Sequence, residues 1–255
     1  MVRIIMSGAN GRMGKVITEL AQNDPETEIV AGIDVISTGS EPYPVFTSAE
    51  DCDIEADVLI DFSSPKALDG LLALTEKRGM PAVLCTTGYS AEQLDRIREA
   101  SEKIAVLKSG NMSLGINTVE SLLKAATKVF VPAGFDVEIV ERHHNQKLDA
   151  PSGTAIMLAD AVNEAAGGDM EYIYDRSGRR EKRGKKELGI SAVRGGSITG
   201  THEVIFAGPD EVIEIRHVAY SRSIFGNGAL QAAKFLAGRS HGMYDMGDVI
   251  AAKQA

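Results

Sequence analysis

Residues Val2 to Gln22 read VRIIMSGANGRMGKVITELAQ, and the order of element types in this stretch decides the fold. Val2–Met6 is a short apolar run that suits a buried strand, and Lys15–Gln22 suits a helix. Between them glycines stand at 8, 11 and 14, a variant of the fingerprint with which a strand-turn-helix unit holds a pyrophosphate. Gly8 permits the tight turn, Gly11 lets a phosphate reach the backbone, and Gly14 lets the helix approach the strand. A second strand, Glu28–Ile33, ends at Asp34, where an acid is expected to bind the ribose hydroxyls of a dinucleotide.

The alternation continues outward from this unit. Strands are expected at 56–62, 81–85 and 105–107, and helices at 66–79 and 91–104. Cofactors lie across the carboxyl ends of strands in such parallel sheets. The rule nominates Gly8, Ala9, Asn10, Gly11, Arg12 and Met13 in the first loop, then Asp34. It also nominates Cys85, Thr86 and Thr87 after one later strand, and Ser109, Gly110, Asn111 and Met112 after another. Cys85 as a nucleophile is disfavoured, because no base is identifiable beside it.

The alternation stops near residue 113, and a helix over 118–130 follows. Strands then dominate, at 136–141, 170–174, 190–193, 202–206 and 211–218, with one helix at 155–166. The expected fold class is α/β: an N-terminal Rossmann-type dinucleotide-binding domain and an α+β domain with a mixed sheet covered by that one helix. The expected boundaries are 1–113 for the first, with 223–255 packing back on it, and 114–222 for the second, a substrate domain whose sheet with one helix leaves a face uncovered, a hint of oligomerisation.

Glu141–Thr154, ERHHNQKLDAPSGT, gathers imidazoles, carboxylates, hydroxyls and an ammonium where a strand gives way to a helix. Loops held by rigid elements are where chemistry concentrates. His143 and His144 supply imidazoles that can carry protons, and Lys147 supplies a fixed positive charge or a proton. Pro151 suits a helix's opening turn, with Asp149, Ser152 or Thr154 as cap. The amides of Ser152, Gly153 and Thr154 then point out of a helix N-terminus, which favours an anion. The cluster reads as a pocket for a small anion beside a proton donor. No third His or Cys stands nearby at ligand spacing, so no metal site is expected.

This stretch resembles the signature of the dihydrodipicolinate reductase family, and the resemblance extends in order through the glycine loop, the Thr86-Thr87-Gly88 turn, the Asn111 loop and the Ser152-Gly153-Thr154 turn. It implies NAD(P)H-dependent reduction of 4-hydroxy-tetrahydrodipicolinate to tetrahydrodipicolinate, in diaminopimelate and lysine biosynthesis. It assigns His143 and Lys147 as proton donors, and His144, Ser152, Gly153 and Thr154 to the dicarboxylate substrate. If residues 143–147 coil helically, their spacing of four aligns His143 with Lys147. The family often follows the ribose-binding acid with an arginine, and here the next residue is Val35. NADH is therefore the expected preference, with NADPH tolerated through Arg12. The resemblance also implies a homotetramer.

Composition sets outer limits. The 255 residues carry a net charge of −9 and a pI near 5.1, which argues against a nucleic-acid partner. Two cysteines imply no disulfide framework. Met1–Met6 lacks the apolar core of a signal peptide, and no run is long enough to span a membrane, so a cytoplasmic location is expected. The basic stretch 176–186 reads as a solvated, mobile loop, with attraction of an anionic ligand as the alternative. Arg222 reads as a carboxylate holder or a structural ion pair. The competing functions are a different dehydrogenase on this architecture, a nucleotide sensor without turnover, and a metal-dependent hydrolase.

Overall fold

The computed structural model describes residues 1–253 apart from 38 and 40. In chain order the elements begin β1 (Val2–Ser7), α1 (Arg12–Gln22), β2 (Thr27–Ile33), β3 (Val45–Phe46) and β4 (Val58–Asp61). A 3₁₀ turn, Pro65–Ala67, leads to α2 (Leu68–Arg78), β5 (Ala82–Leu84), α3 (Ala91–Ser101) and β6 (Ala105–Lys108). Then come α4 (Leu114–Phe130), β7 (Asp136–His143), α5 (Gly153–Ala166), β8 (Glu171–Ile173) and β9 (Glu187–Arg194). The chain ends through β10 (Gly200–Ala207), β11 (Val212–Ala219), α6 (Ser223–Leu236), β12 (Gly242–Tyr244) and α7 (Met246–Ala252). Two compact units result: Met1–Leu114 with Arg222–Ala255, and Gly115–Ser221. Among the described residues no helix is long and apolar enough to cross a membrane.

The first unit holds a seven-stranded parallel sheet in the order β12-β6-β5-β4-β1-β2-β3. Strands covered on both faces need continuous apolar runs rather than alternation. Ile4–Met6, Val58–Ile60, Ala82–Leu84 and Ala105–Leu107 accordingly lie buried over their whole length. β12 pairs with β6, while α6 packs on α1 and on the sheet, so the last segment of the chain completes this unit. Helix α1 starts at Arg12, three residues before the expected Lys15, and takes Gly14 into its first turn. A Cβ on Gly14 would stand 2.2 Å from the Gly8 carbonyl oxygen and 2.4 Å from that of Ala9. Only a bare α-carbon allows the helix to start that close to β1.

The second unit holds a five-stranded mixed sheet in the order β11-β10-β7-β9-β8, with β7–β9 and β8–β9 parallel and β7–β10 and β10–β11 antiparallel. One covering helix was expected, and two contribute. Leu123 of α4 joins Ala155, Leu158, Ala159 and Val162 of α5 over Val137, Ile139, Leu188, Ile190, Val204 and Phe206. α4 is also longer than expected, beginning at Leu114.

β7 alternates strictly, with Val137, Ile139, Glu141 and His143 buried. The strand runs to His143 because ladder pairing continues to the end, with Glu141 opposite Ala192 and His143 opposite Arg194. His143 is thus strand-borne. The next residues form a turn, closed by the Lys147 amide donating to the His144 carbonyl at 3.2 Å. The expected helical alignment of His143 with Lys147 does not occur, since the sheet holds one of them extended.

The basic stretch 176–186 is not a freely solvated loop. Arg176 pairs with Glu138 at 2.8 Å and with Glu187, and Arg183 pairs with Asp136 at 2.7 Å and Glu138 at 3.0 Å. The carboxylates of β7 and β9 that face away from the core neutralise it, leaving Arg180, Lys182 and Lys185 exposed.

Gly14→Ala tests the close approach of α1 to β1. Forcing a methyl into packed backbone costs about 1–3 kcal/mol or more. Urea unfolding should show a loss of at least that size together with weakened dinucleotide binding, and a variant as stable as the native chain would refute the account.

Candidate active site

The aligned ends of the parallel strands define the candidate cofactor site of the first unit. Ser7 of β1 lies level with Ile33 of β2 and Asp61 of β4, Asp61 with Leu84 of β5, and Leu84 with Lys108 of β6. Every residue nominated for cofactor binding follows one of these ends: Gly8–Met13, Asp34, Cys85–Thr87 and Ser109–Met112. Gly8 has φ +80°, and a Cβ on it would stand 2.6 Å from the Phe62 carbonyl oxygen. Gly11 caps α1 in extended conformation with no side-chain cap. Asp34 accepts from the Asn10 amide at 2.9 Å and from the Ile36 amide at 3.3 Å, so the acid also holds the glycine loop. An open helix N-terminus beside bare glycines, with a carboxylate at the next strand end, fits a dinucleotide.

A buried carboxylate absent from the sequence reading organises the neighbouring loops. Asp61 is wholly buried. It accepts from the Ser63 amide at 3.0 Å and hydroxyl at 2.5 Å, from the Thr86 hydroxyl at 2.7 Å, and from the Tyr89 hydroxyl at 3.4 Å. Ser109 and Asn111 hold the next loop, with the Asn111 amide donating to the Ser109 hydroxyl at 3.2 Å and the Ser113 amide to the Asn111 side chain at 3.0 Å. Burial, reinforced by Asp61, pushes the Cys85 thiol well up from its usual range, which leaves it a poor nucleophile.

In the second unit, Glu141 is the hub. One oxygen lies 2.6 Å from His143 Nδ1 and accepts from Arg194 Nη1 at 2.7 Å. The other accepts from the Ser152 amide at 3.0 Å and from Arg194 Nη2 at 2.7 Å. Ser152 caps α5, its hydroxyl accepting from the Ala155 amide at 3.2 Å. That hydroxyl also lies 3.1 Å from Nε2 of His202. The His143 and His202 rings meet edge to face, with centroids 5.1 Å apart. Lys147 pairs with Asp149 at 2.9 Å, and His144 is half-buried. Pro151, expected in the opening turn, precedes the cap through a cis Ala150–Pro151 bond. The Ser152 amide was expected to face an anion and instead faces Glu141. Gly153 opens the helix, exposed, with nothing within 4 Å of where a Cβ would stand, and Thr154 follows half-buried. Arg222 stands at the N-terminal cap of α6, in the first unit.

Known proteins match this chain along its whole length. The profile described as "Dihydrodipicolinate reductase, N-terminus" matches residues 2–112, and "Dihydrodipicolinate reductase, C-terminus" matches 115–250. The chain belongs to the dihydrodipicolinate reductase family. A protein of Caldanaerobacter subterraneus subsp. tengcongensis named 4-hydroxy-tetrahydrodipicolinate reductase is 52% identical over 98% of both chains. One of the same name from Clostridium tetani is 50% identical over 96% of both. Among solved structures, the dipicolinate-bound dihydrodipicolinate reductase from Paenisporosarcina sp. TG-14 superposes with a TM-score of 0.82 at 26% identity, covering 97% of this chain and 99% of that one.

Burial and pairing set the charge states of this cluster in the second unit. Burial alone would raise the Glu141 carboxyl, but Arg194, His143 and the Ser152 amide outweigh it and hold it below the usual range. Burial pulls the His143 ring down, and the Lys147 and Arg194 charges add to this against the pull of Glu141. Glu141 is thus ionised with Arg194 as its counter-ion, and His143 rests neutral. Sequence reasoning singled out neither Arg194 nor His202. Glu141 and His143 stand two apart in an alternating strand, which places them on one face. Arg194 and His202 reach that face only through the pairing of β9 and β10 with β7, where His143 lies opposite Arg194 and Glu141 opposite His202.

Burial, with the neighbouring His143 adding to it, pulls the His202 ring down to about 4. Its folded value lies below its unfolded value of 6.5, so the unfolded chain binds more protons between those limits. The native state therefore loses stability as pH falls from about 6.5 towards 4, by about 2 kcal/mol at pH 5. Denaturant unfolding at pH 7.5 and pH 5 should show that His202→Gln removes a loss of this size. An identical pH dependence in both proteins would exclude the buried neutral ring.

Proposed function

We propose that His143 is the proton donor in a reduction whose dinucleotide is held by the first unit and whose dicarboxylate substrate is held by the second. The reaction is NAD(P)H-dependent reduction of 4-hydroxy-tetrahydrodipicolinate to tetrahydrodipicolinate, the activity for which the chain's full-length relatives are named. The observation that carries the roles is the single buried carboxylate, Glu141, that holds both His143 and the amide preceding the open turn at Gly153.

The bound nicotinamide supplies the hydride. The chain's own residues supply the rest. The Gly8–Met13 loop and the start of α1 hold the pyrophosphate, and Asp34 takes the ribose hydroxyls. Cys85, through its backbone, with Thr86 and Thr87, and the loop Ser109–Met112 line the nicotinamide end. Gly153 and Thr154 offer amides to a substrate carboxylate at the N-terminus of α5, shaped by Ser152, and His144 contributes a second polar contact. His143 delivers a proton from Nε2, and Lys147 stands as a second donor. A dianionic substrate entering beside Lys147 raises the proton affinity of a ring that rests neutral, so the donor charges when it is needed.

Asp34 followed by Val35 favours NADH. The carboxylate bonds a free 2′-hydroxyl and repels a 2′-phosphate, and Val35 offers no charge to hold one, so only Arg12 remains to tolerate NADPH. The mixed sheet is covered by helices on one face only among the described residues, and Val193, Val212 and Val218 are exposed on the other. That apolar surface supports assembly into a homotetramer through the second unit. Two buried free thiols, Cys52 and Cys85, accord with the cytoplasm.

An absorbance assay with freshly generated substrate tests the roles. NADH should be consumed with the higher kcat/KM, and His143→Ala or Lys147→Ala should lower kcat by about 10²–10⁴-fold with NADH affinity retained. Native turnover in both variants refutes the donor assignment, and a higher kcat/KM with NADPH refutes the cofactor argument. Sedimentation equilibrium should return four copies per particle, and a monomer would overturn the assembly.

A further inference from the structure

The reaction makes no direct use of Glu141, yet this residue is wholly buried and has donors on all sides. The Ser152 amide is a fixed donor, and both Arg194 nitrogens are donors. All the acceptor capacity near Nδ1 therefore belongs to the carboxylate, and the neutral His143 ring must present Nδ1–H to it. Nε2 is left with its lone pair. A Cβ on Gly200 would stand 3.1 Å from that nitrogen, so the bare glycine leaves room at the Nε2 edge of the ring.

We propose that Glu141, kept ionised by Arg194, is the positioning residue of the site: it fixes His143 as the Nδ1–H tautomer and, through the Ser152 amide, sets the N-terminal turn of α5 beside it. The proposal rests on His143 as proton donor. With Nδ1 occupied, the ring takes a proton from water at Nε2. When it delivers that proton, the Nε2–H bond breaks, the bond to substrate forms, and the electron pair stays on Nε2. The opposite tautomer has no lone pair on Nε2 and cannot reload there. One rigid carboxylate also makes the orientation of the donor and that of the anion-binding turn a single variable, as proton transfer to a held substrate requires.

Glu141→Gln separates this role from simple packing. The amide keeps the shape but turns one oxygen into a donor. Directed at Ser152, the new N–H group opposes a backbone N–H that cannot rearrange. Directed at His143, it is accommodated if the ring moves its proton to Nε2 and the Arg194 side chain turns its Nη1 away. The expected result is a tautomer switch, read from imidazole ¹⁵N shifts of histidine-labelled protein at pH 8, with His143→Ala used for assignment. Native protein should show Nδ1–H and Glu141→Gln should show Nε2–H, with kcat about 10²-fold lower and the KM for NADH within about twofold. The Nε2–H form in native protein overturns the proposal, as does Nδ1–H with native turnover in Glu141→Gln. If Glu141→Gln does not fold, the native spectrum decides alone. Unchanged turnover in His143→Ala counts against the proton-donor reading only, because the spectra report the tautomer whether or not substrate is turned over.

Discussion

A carboxylate with no access to water must be matched donor for donor, and Glu141 is matched by a guanidinium, an imidazole and a backbone amide. An uncompensated buried charge costs several kcal/mol, so losing any one partner penalises the others. This constraint explains why strand β7 carries an acid where Val137 and Ile139 set an apolar pattern. It also explains why β9 ends in an arginine whose side chain crosses to its neighbour rather than to solvent. The His143 ring is held in one orientation because the carboxylate beside it has nowhere else to turn.

The first unit solves a related problem in the same way. Asp61 ends an apolar strand and is wholly buried, and its oxygens collect the Ser63 amide and the hydroxyls of Ser63, Thr86 and Tyr89. The loop at Thr86, nominated for the cofactor side, and the turn at Ser63, which was not, are thereby tied to the end of one strand. Both units place a buried acid near a carboxyl-terminal strand end and hang neighbouring loops on it. Loops gain precision when a scaffold group determines their hydrogen bonds.

The two sheets differ in what they allow. The parallel sheet is covered on both faces, and its chemistry sits only at strand ends, which the register aligns from Ile33 to Lys108. The mixed sheet is covered on one face by α4 and α5, and its alternation sends polar residues to either side by parity. Glu141 and His143 go to the helix side. Asp136 and Glu138 go to the other, where they hold Arg176 and Arg183. Arg176 and Arg183 of the basic stretch that reads as a solvated loop are thus paired with acids that precede them by some forty residues, a pairing no local pattern encodes.

The glycine loop, the acid at Asp34, the Thr86–Thr87 turn and the His143–Thr154 cluster were legible in the chain itself, because each depends on residues close in sequence: a strand, a turn with bare α-carbons, and a helix start. The two-layer plan was legible for the same reason, since continuous and alternating apolar runs distinguish the two kinds of sheet. Arg194, His202 and Asp61's partners were not. They enter the sites through strand pairing and loop packing, and register is a property of the assembled sheet. The helical spacing read between His143 and Lys147 failed on this ground, because the ladder to β9 outweighs local preference and keeps His143 extended. The sequence by itself determined which chemical groups are present and which elements carry them; the tertiary structure decided which buried charge faces which donor, because that pairing is made across strands and not along them.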